Sequence, residues 1–405
     1  MPNEEPLEIL YCLPGLHGYD GYTVLAADLF QDLHARGHHV DCAVLLEDGE
    51  PYPANARLKD ARHIAFYEHP LGQGGLPRFR YRVGNRLTPR ALGGRHVCPP
   101  GYFRMLQREF PLDRYDFVVT AGARFARVAD LTPAPVVCDL HELFSHKAEI
   151  LATHGIPLAS PFESYEEEFA LLSRFDYLWC PSREIYDILA NRFPESSLLE
   201  RHLSLPAVVD DDTKLGHPPA DAPPRILFVG STAAENQPGV RVFLRDVWPS
   251  VRRAVPDAEF HIVGWTESDL PAGTDPRGIV AHGRLATRAE VLDCYEQCHV
   301  LVIPRFLGGL TIKGIEALAL GRAVVGHRMA FSGCYPIENG RHALIAENNA
   351  DLASGVIHLL RHEEERRALA DRARTFAREF FTPDRVYGEL LRVAPRRIPA
   401  DLCQA

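Results

Sequence analysis

The chain has 405 residues, too many for one compact core, and two domains of about 200 residues each are the expectation. A formal charge of −10, with 46% hydrophobic and 24% charged residues, fits an ordinary globular protein and excludes a nucleic-acid binder built on a basic stripe. No stretch approaches the roughly 20 apolar residues that span a bilayer, which leaves only a peripheral membrane contact open.

Nine cysteines are scattered without a CxxC pair, Cys294 and Cys298 being the closest two. The N-terminal MPNEEPLEILYCLPG carries acids where a secretion signal needs bases. Reduced thiols and a cytoplasmic location are expected.

In chain order, short β-branched runs alternate with helical patterns. Leu7–Leu13 reads as a buried strand, followed by the glycine-bearing loop Gly15–Gly21. A helix follows over Thr23–Arg36, where Leu25, Ala26, Leu29 and Leu33 recur at helical spacing. Gly37 ends it, and His39–Leu45 starts the next strand. His63–Tyr67, Phe117–Thr120, Pro135–Leu140 and Tyr177–Cys180 are further strands. The region from Glu50 to Asp113 is rich in Gly, Pro and Arg and weakly patterned.

Ser204–Pro224, SLPAVVDDDTKLGHPPADAPP, breaks the rhythm and reads as a linker. Its Asp210, Asp211 and Asp212 read as solvated acids, not as a metal site. The pattern then restarts. Strands are expected at Arg225–Gly230, Glu259–Gly264, Gly278–Gly283, His299–Pro304 and Arg322–Gly326. Helices are expected at Val240–Val255, Ala289–Gln297, Ile312–Leu320, Ala350–His362 and Glu363–Phe380. This alternation predicts an α/β fold with two Rossmann-like, doubly wound parallel-sheet domains facing a central cleft. The boundaries are 1–205 for the first domain, 206–224 for the linker, 225–385 for the second domain and 386–405 for a C-terminal tail.

The sharpest chemistry lies between Val302 and Gly321. A strand ends near Pro304, a loop carries Gly308, Gly309 and Leu310, and a helix opens near Thr311. Unpaired N–H groups at a helix start suit a diphosphate, and glycine lets the backbone approach it closely. Lys313 adds a point charge in the first turn. Glu316, three residues on, can accept two hydroxyls such as a ribose diol offers. A helix start with a solvated Lys–Glu pair is the competing reading, and spacing alone does not separate the two.

The segment GGLTIKGIEALALGRAVVG resembles the donor-binding signature of the family-4 retaining glycosyltransferases, which have the GT-B fold. Three further stretches match in order: FVGSTAAENQPGVRVFLRDVWPSVRRAVPDAEFHIVG, AHGRLATRAEVLDCYEQCHVLVIP and ENGRHALIAENNADLASGVIHLL. The resemblance covers 225–380. In the first half, the Gly15–Gly21 loop, ARGHHV and VVCDLHELF resemble the family's glycine loop and its Asp-x-His-Glu strand end.

The resemblance implies a metal-independent transferase using a UDP- or GDP-linked sugar as co-substrate, with no cofactor and no metal. It puts His141 beside the sugar, oriented by Asp139 or Glu142, and makes His141, Lys313 and Glu316 the catalytic set. Donor binding then falls to Gly18, Gly230, Ser231, Gly283, Arg284, Leu285, Gly308, Gly309, Leu310, Thr311, Lys313 and Glu316. The acceptor, whether small molecule, glycan or lipid-linked, is expected at N-terminal-domain loops around Gly15–Tyr22 and Glu50–Tyr102. HELFSH is not the zinc-protease pattern, which needs histidines four apart on one helical face.

Two departures stand out. Gly308 occupies the place where the family often carries a first glutamate. Ser231 and Thr232 follow Gly230 where the family commonly has Arg and Lys; Arg241 and Arg305 are the substitutes to consider, against a reading of both as solvated. These departures keep two alternatives open: a non-catalytic nucleotide-sugar-binding or partner protein, and another GT-B enzyme such as an epimerase or phosphorylase. No additional acid–base set or pyridoxal lysine is apparent for the latter.

Overall fold

A computed structural model describes residues 5–15, 21–46, 58–68, 98–156, 162, 164–200, 215–219, 222–307, 311–334 and 336–393. The N-terminal half runs β1 (Glu8–Pro14), α1 (Gly21–Ala35), β2 (His39–Leu46), β3 (His63–Glu68), α2 (Pro100–Glu109), β4 (Phe117–Ala121) and β5 (Val136–Asp139). It continues through α3 (Phe144–Thr153), α4 (Tyr165–Leu172), β6 (Tyr177–Cys180), α5 (Arg183–Ala190) and β7 (Leu198–Glu200). These strands form one parallel sheet in the order β3-β2-β1-β4-β5-β6-β7.

The central strands are buried on both faces, as a sheet covered by helices on each side requires. Ser164 and Ser182 cap α4 and α5, their side chains accepting from the N–H groups of Glu167 and Ile185.

The second half opens with β8 (Arg225–Val229) and α6 (Gln237–Val242), then five π-helical residues, Phe243–Val247, and α7 (Trp248–Ala254). The expected single helix over 240–255 therefore starts earlier and is interrupted. Pro249 has no N–H to give the carbonyl four residues back, so the ladder slips a residue just ahead of it. Next come β9 (Glu259–Val263), β10 (Ile279–Gly283), α8 (Arg288–Glu296), β11 (Val300–Ile303), α9 (Ile312–Ala319) and β12 (Ala323–His327). The half closes with β13 (Leu344–Ala346), α10 (Asn349–Arg361), α11 (Glu363–Phe380) and α12 (Pro383–Leu391). The second sheet is also parallel, in the order β10-β9-β8-β11-β12-β13.

In both sheets the strand order reverses beside the first strand of the domain, between β1 and β4 and between β8 and β11. Such a switch point opens a crevice at the carboxyl ends of the strands. The second sheet is packed on both faces: Leu301, Ile315 and Phe381 belong to one apolar cluster, Val300, Trp248 and Phe260 to the other.

Residues 386–393, expected in a tail, hold most of α12 and return to the first domain. Val386, Tyr387, Leu390 and Val393 are buried in its core, and the Tyr387 ring meets Trp179 edge-on at 6.0 Å. The Tyr387 hydroxyl donates to Asp28 on α1. The Asp210–Asp212 run and most of the linker around it lie outside the described residues. Among the described residues, no helix is long and apolar enough to cross a membrane.

Candidate active site

The loops after β8 and β11 meet at the switch point of the second sheet. Between them stands the amino end of α9. Thr311 precedes this helix with no side-chain cap, and its own hydroxyl is buried without a hydrogen-bond partner among the described residues. The neighbouring helix α8 is different: the Glu290 carboxylate accepts from the N–H groups of Ala286 and Thr287 and closes that end in a capping box. A helix start left without its own acid keeps its partial positive charge for something else.

Lys313 turns from the first turn of α9 toward the end of β8. Its Nζ donates to Asn236 Oδ1 at 2.9 Å and lies 4.8 Å from the centre of the Phe228 ring. Asn236 is held in turn by its amide, which donates to the Ser231 carbonyl at 2.9 Å; the Trp265 indole donates to the same oxygen at 3.2 Å. Close backbone contact makes this possible. Gly239 on α6 sits so near Pro304 that an added Cβ would meet its carbonyl oxygen at 1.4 Å.

Arg305, at the start of the β11–α9 loop, is not solvated as the competing reading expected. Its Nε donates to the Leu307 carbonyl at 2.7 Å, and burial draws the guanidinium below its ordinary value, against the opposing charges of Glu235, Glu142 and Glu184. Burial and then the Arg305 charge bring Lys313 down to about 7, with Glu235 acting the other way. Two cations crowd each other beside an open helix start, an arrangement that an anion between them would relieve. Arg241 does not join them. It donates to Gln237 and lines a groove of about 770 Å³ on the outer face of the domain, with Trp248, Arg252 and Arg277.

Glu316 is buried on another side of α9, facing α8. It accepts from the Tyr295 hydroxyl at 2.7 Å and pairs with Arg288, while burial raises its carboxyl above the ordinary range. Lys313 and Glu316 therefore do not form a solvated pair. Gly283, with φ +65°, already uses its N–H and carbonyl in bonds to Trp265 and Gly264. Gly18, Gly308, Gly309 and Leu310 lie outside the described residues.

Across the crevice, His141 follows the carboxyl end of β5, and its Nε2 is 3.5 Å from the fully buried Asp139 carboxylate. Glu142 is engaged elsewhere, with Lys147. The amino end of α3 is filled by Glu168, which accepts from the N–H groups of Phe144 and Ser145 at 2.9 Å each. The two domains also touch here. Phe306 is stacked between His154 of the first domain, at 4.7 Å, and His327 of the second, at 4.8 Å. The Arg183 N–H donates to the Ser332 carbonyl at 3.1 Å. Sequence reading did not find Phe306, because a lone aromatic in a loop carries no spacing signal.

Residues 223–362 match the family described as glycosyl transferases group 1. The chain is similar in structure to the sucrose-phosphate synthase of Thermosynechococcus elongatus, at 17% identity and a TM-score of 0.63, covering 95% of this chain and 98% of that one. The lipopolysaccharide outer core galactosyltransferase WaaB gives 13% and 0.66 over 95% and 98%. HepE of Anabaena, in complex with UDP and glucose, gives 11% and 0.63 over the same shares. Identities this low establish a shared fold. Among curated proteins none matches the chain.

Proposed function

We propose that this chain, whose residues 223–362 match the glycosyl transferases group 1 and whose fold is that of GT-B glycosyltransferases, moves a sugar from a nucleoside diphosphate sugar to an acceptor, without a metal and with retention at the anomeric carbon. One observation carries the reading: Lys313 and Arg305 stand half-buried together at the start of α9, which has no side-chain cap among the described residues, at the switch point between β8 and β11.

In this reading the diphosphate lies between the two cations and the N–H groups of α9. Thr311 Oγ1 supplies a further donor. The bond from the anomeric carbon to the β-phosphate oxygen breaks as the bond to the acceptor oxygen forms. The acceptor's proton passes to the departing phosphate. Charge growing on that phosphate is met by preorganised cations and dipoles, the work a divalent ion would otherwise do. Arg305 and Lys313 take the place of the basic pair missing after Gly230, the β8 loop instead contributing Asn236 to hold Lys313.

Glu316 accepts the ribose diol by exchanging Arg288 for it while keeping Tyr295. The base edge falls to the backbone of Arg284 and Leu285, Gly283 being committed to the sheet. His141, steadied by Asp139, faces the sugar from the other domain. Closure on the Phe306 stack excludes water and limits hydrolysis.

Calorimetry with UDP, GDP, uridine and guanosine tests the anion site. One diphosphate is expected to bind at least about tenfold tighter than its nucleoside, a gain of roughly 1.4 kcal/mol or more. Lys313→Ala removes that gain, and Glu316→Ala weakens nucleoside and diphosphate alike. Equal loss of both in Lys313→Ala overturns the phosphate role. Transfer that stops in chelator and returns with a divalent ion overturns the metal-free mechanism.

A further inference from the structure

The geometry points to a transition-metal site at the corner between α10 and α11, formed by His358, His362 and Glu365, and we propose that a zinc-like divalent ion binds there and staples the two helices. One ligand atom from each of the three lies within 4.8 Å of the other two, and all three side chains are exposed. His358 lies in the last turn of α10 and His362 is the residue that caps it, with their rings stacked at 4.2 Å and 26°. Two histidines four residues apart, with their rings brought together where a helix ends, can share one zinc ion.

The hydrogen bonds favour a ligand set over a chance charge pair. His362 Nδ1 is 2.8 Å from the His358 carbonyl oxygen, which can only accept. The proton is therefore on Nδ1, and Nε2 presents its lone pair, the orientation that second-shell carbonyls impose on metal-binding histidines. His358 Nε2 approaches the Glu365 carboxylate at 2.8 Å, with the proton where an ion would sit. A histidine at a helix end and a glutamate at a helix start are each explained by helix dipoles, but dipoles do not make three donors converge. Two imidazoles and one carboxylate suit Zn²⁺, Cu²⁺ or Ni²⁺ better than Mg²⁺ or Ca²⁺.

The corner is far from the crevice. α10 starts beside the carboxyl end of β13 and runs back for 13 residues, a length of roughly 20 Å. Arg361 there donates to the Ala254 carbonyl at the far end of α7. The ion would act on stability, not on transfer.

The test is calorimetric titration of the full chain with Zn²⁺, paired with thermal unfolding. One equivalent is expected to bind and to raise the unfolding temperature. His358→Ala and His362→Ala each weaken it at least about tenfold, Glu365→Gln weakens it less, and His34→Ala, at an exposed histidine on α1, leaves it intact. Unchanged unfolding of the metal-free variants shows that they fold. Donor binding and transfer stay as they were in the His358→Ala, His362→Ala double variant, so the outcome is independent of the donor site. The same Zn²⁺ stoichiometry and affinity in that double variant, or no binding by the native chain at micromolar Zn²⁺, overturns the site.

Discussion

The ammonium of Lys313 occupies the space that a side chain on Gly230 would need: a Cβ placed there would lie 2.6 Å from Nζ and 2.9 Å from the Phe228 ring. A residue at the end of β8 thus dictates where a cation from α9 can stand.

Gly230→Ala is expected to push Lys313 off Asn236. Nucleoside diphosphate binding should weaken by about tenfold, while nucleoside binding changes little. Overpacking of this kind costs about 1–3 kcal/mol, which denaturant unfolding would show. Unaltered diphosphate affinity would mean that Lys313 does not need this position.

The lowered Lys313 gives a pH signature. Burial brings the ammonium down to about 7 in the free protein, and a bound diphosphate is expected to restore its proton. Affinity is expected to be greatest below pH 7 and to fall by up to about tenfold per pH unit above it. Lys313→Arg, which keeps its charge, should flatten that profile. Stability of the ligand-free chain runs the other way. An unfolded lysine titrates near 10.4, so between about 7 and 10.4 the unfolded state holds more protons and this group's contribution to stability rises with pH.

Tyr387→Ala should destabilise the first domain, although the residue lies at the other end of the chain. A fully buried aromatic cut to alanine costs about 3–5 kcal/mol. Unfolding followed by the fluorescence of Trp179, against which Tyr387 packs, should report the loss. A change confined to Trp248 and Trp265 in the second domain would contradict the packing seen here.

Much of the sheet scaffold was readable because its strands are short apolar runs bounded by glycine and proline. Tyr177–Cys180 and Glu363–Phe380 have the bounds expected of them, and most other expected elements differ by a residue or two. The π-helical turn was not expected, because its cause is one proline acting on a carbonyl in the previous turn. β13 and β7, at three residues each, are shorter than any periodicity can reveal. At the site, Lys313 and Glu316 stand out by their place in the motif, but their surroundings do not. Asn236 is 77 positions from Lys313 and Tyr295 is 21 from Glu316, and neither partner carries a local signal. Arg305 looked like a surface residue because nothing in its neighbours announces that the loop folds it inward.

The return of α12 has a consequence for biosynthesis. The first domain leaves the ribosome before Val386, Tyr387, Leu390 and Val393, which complete its interior, have been made. At translation speeds of about 5–20 residues per second, the interval between Glu200 and Tyr387 is on the order of 10–40 s. Throughout that time the nascent domain carries an unfilled apolar groove, and a stalled ribosome would leave it a client for chaperones even with every one of its own strands already made.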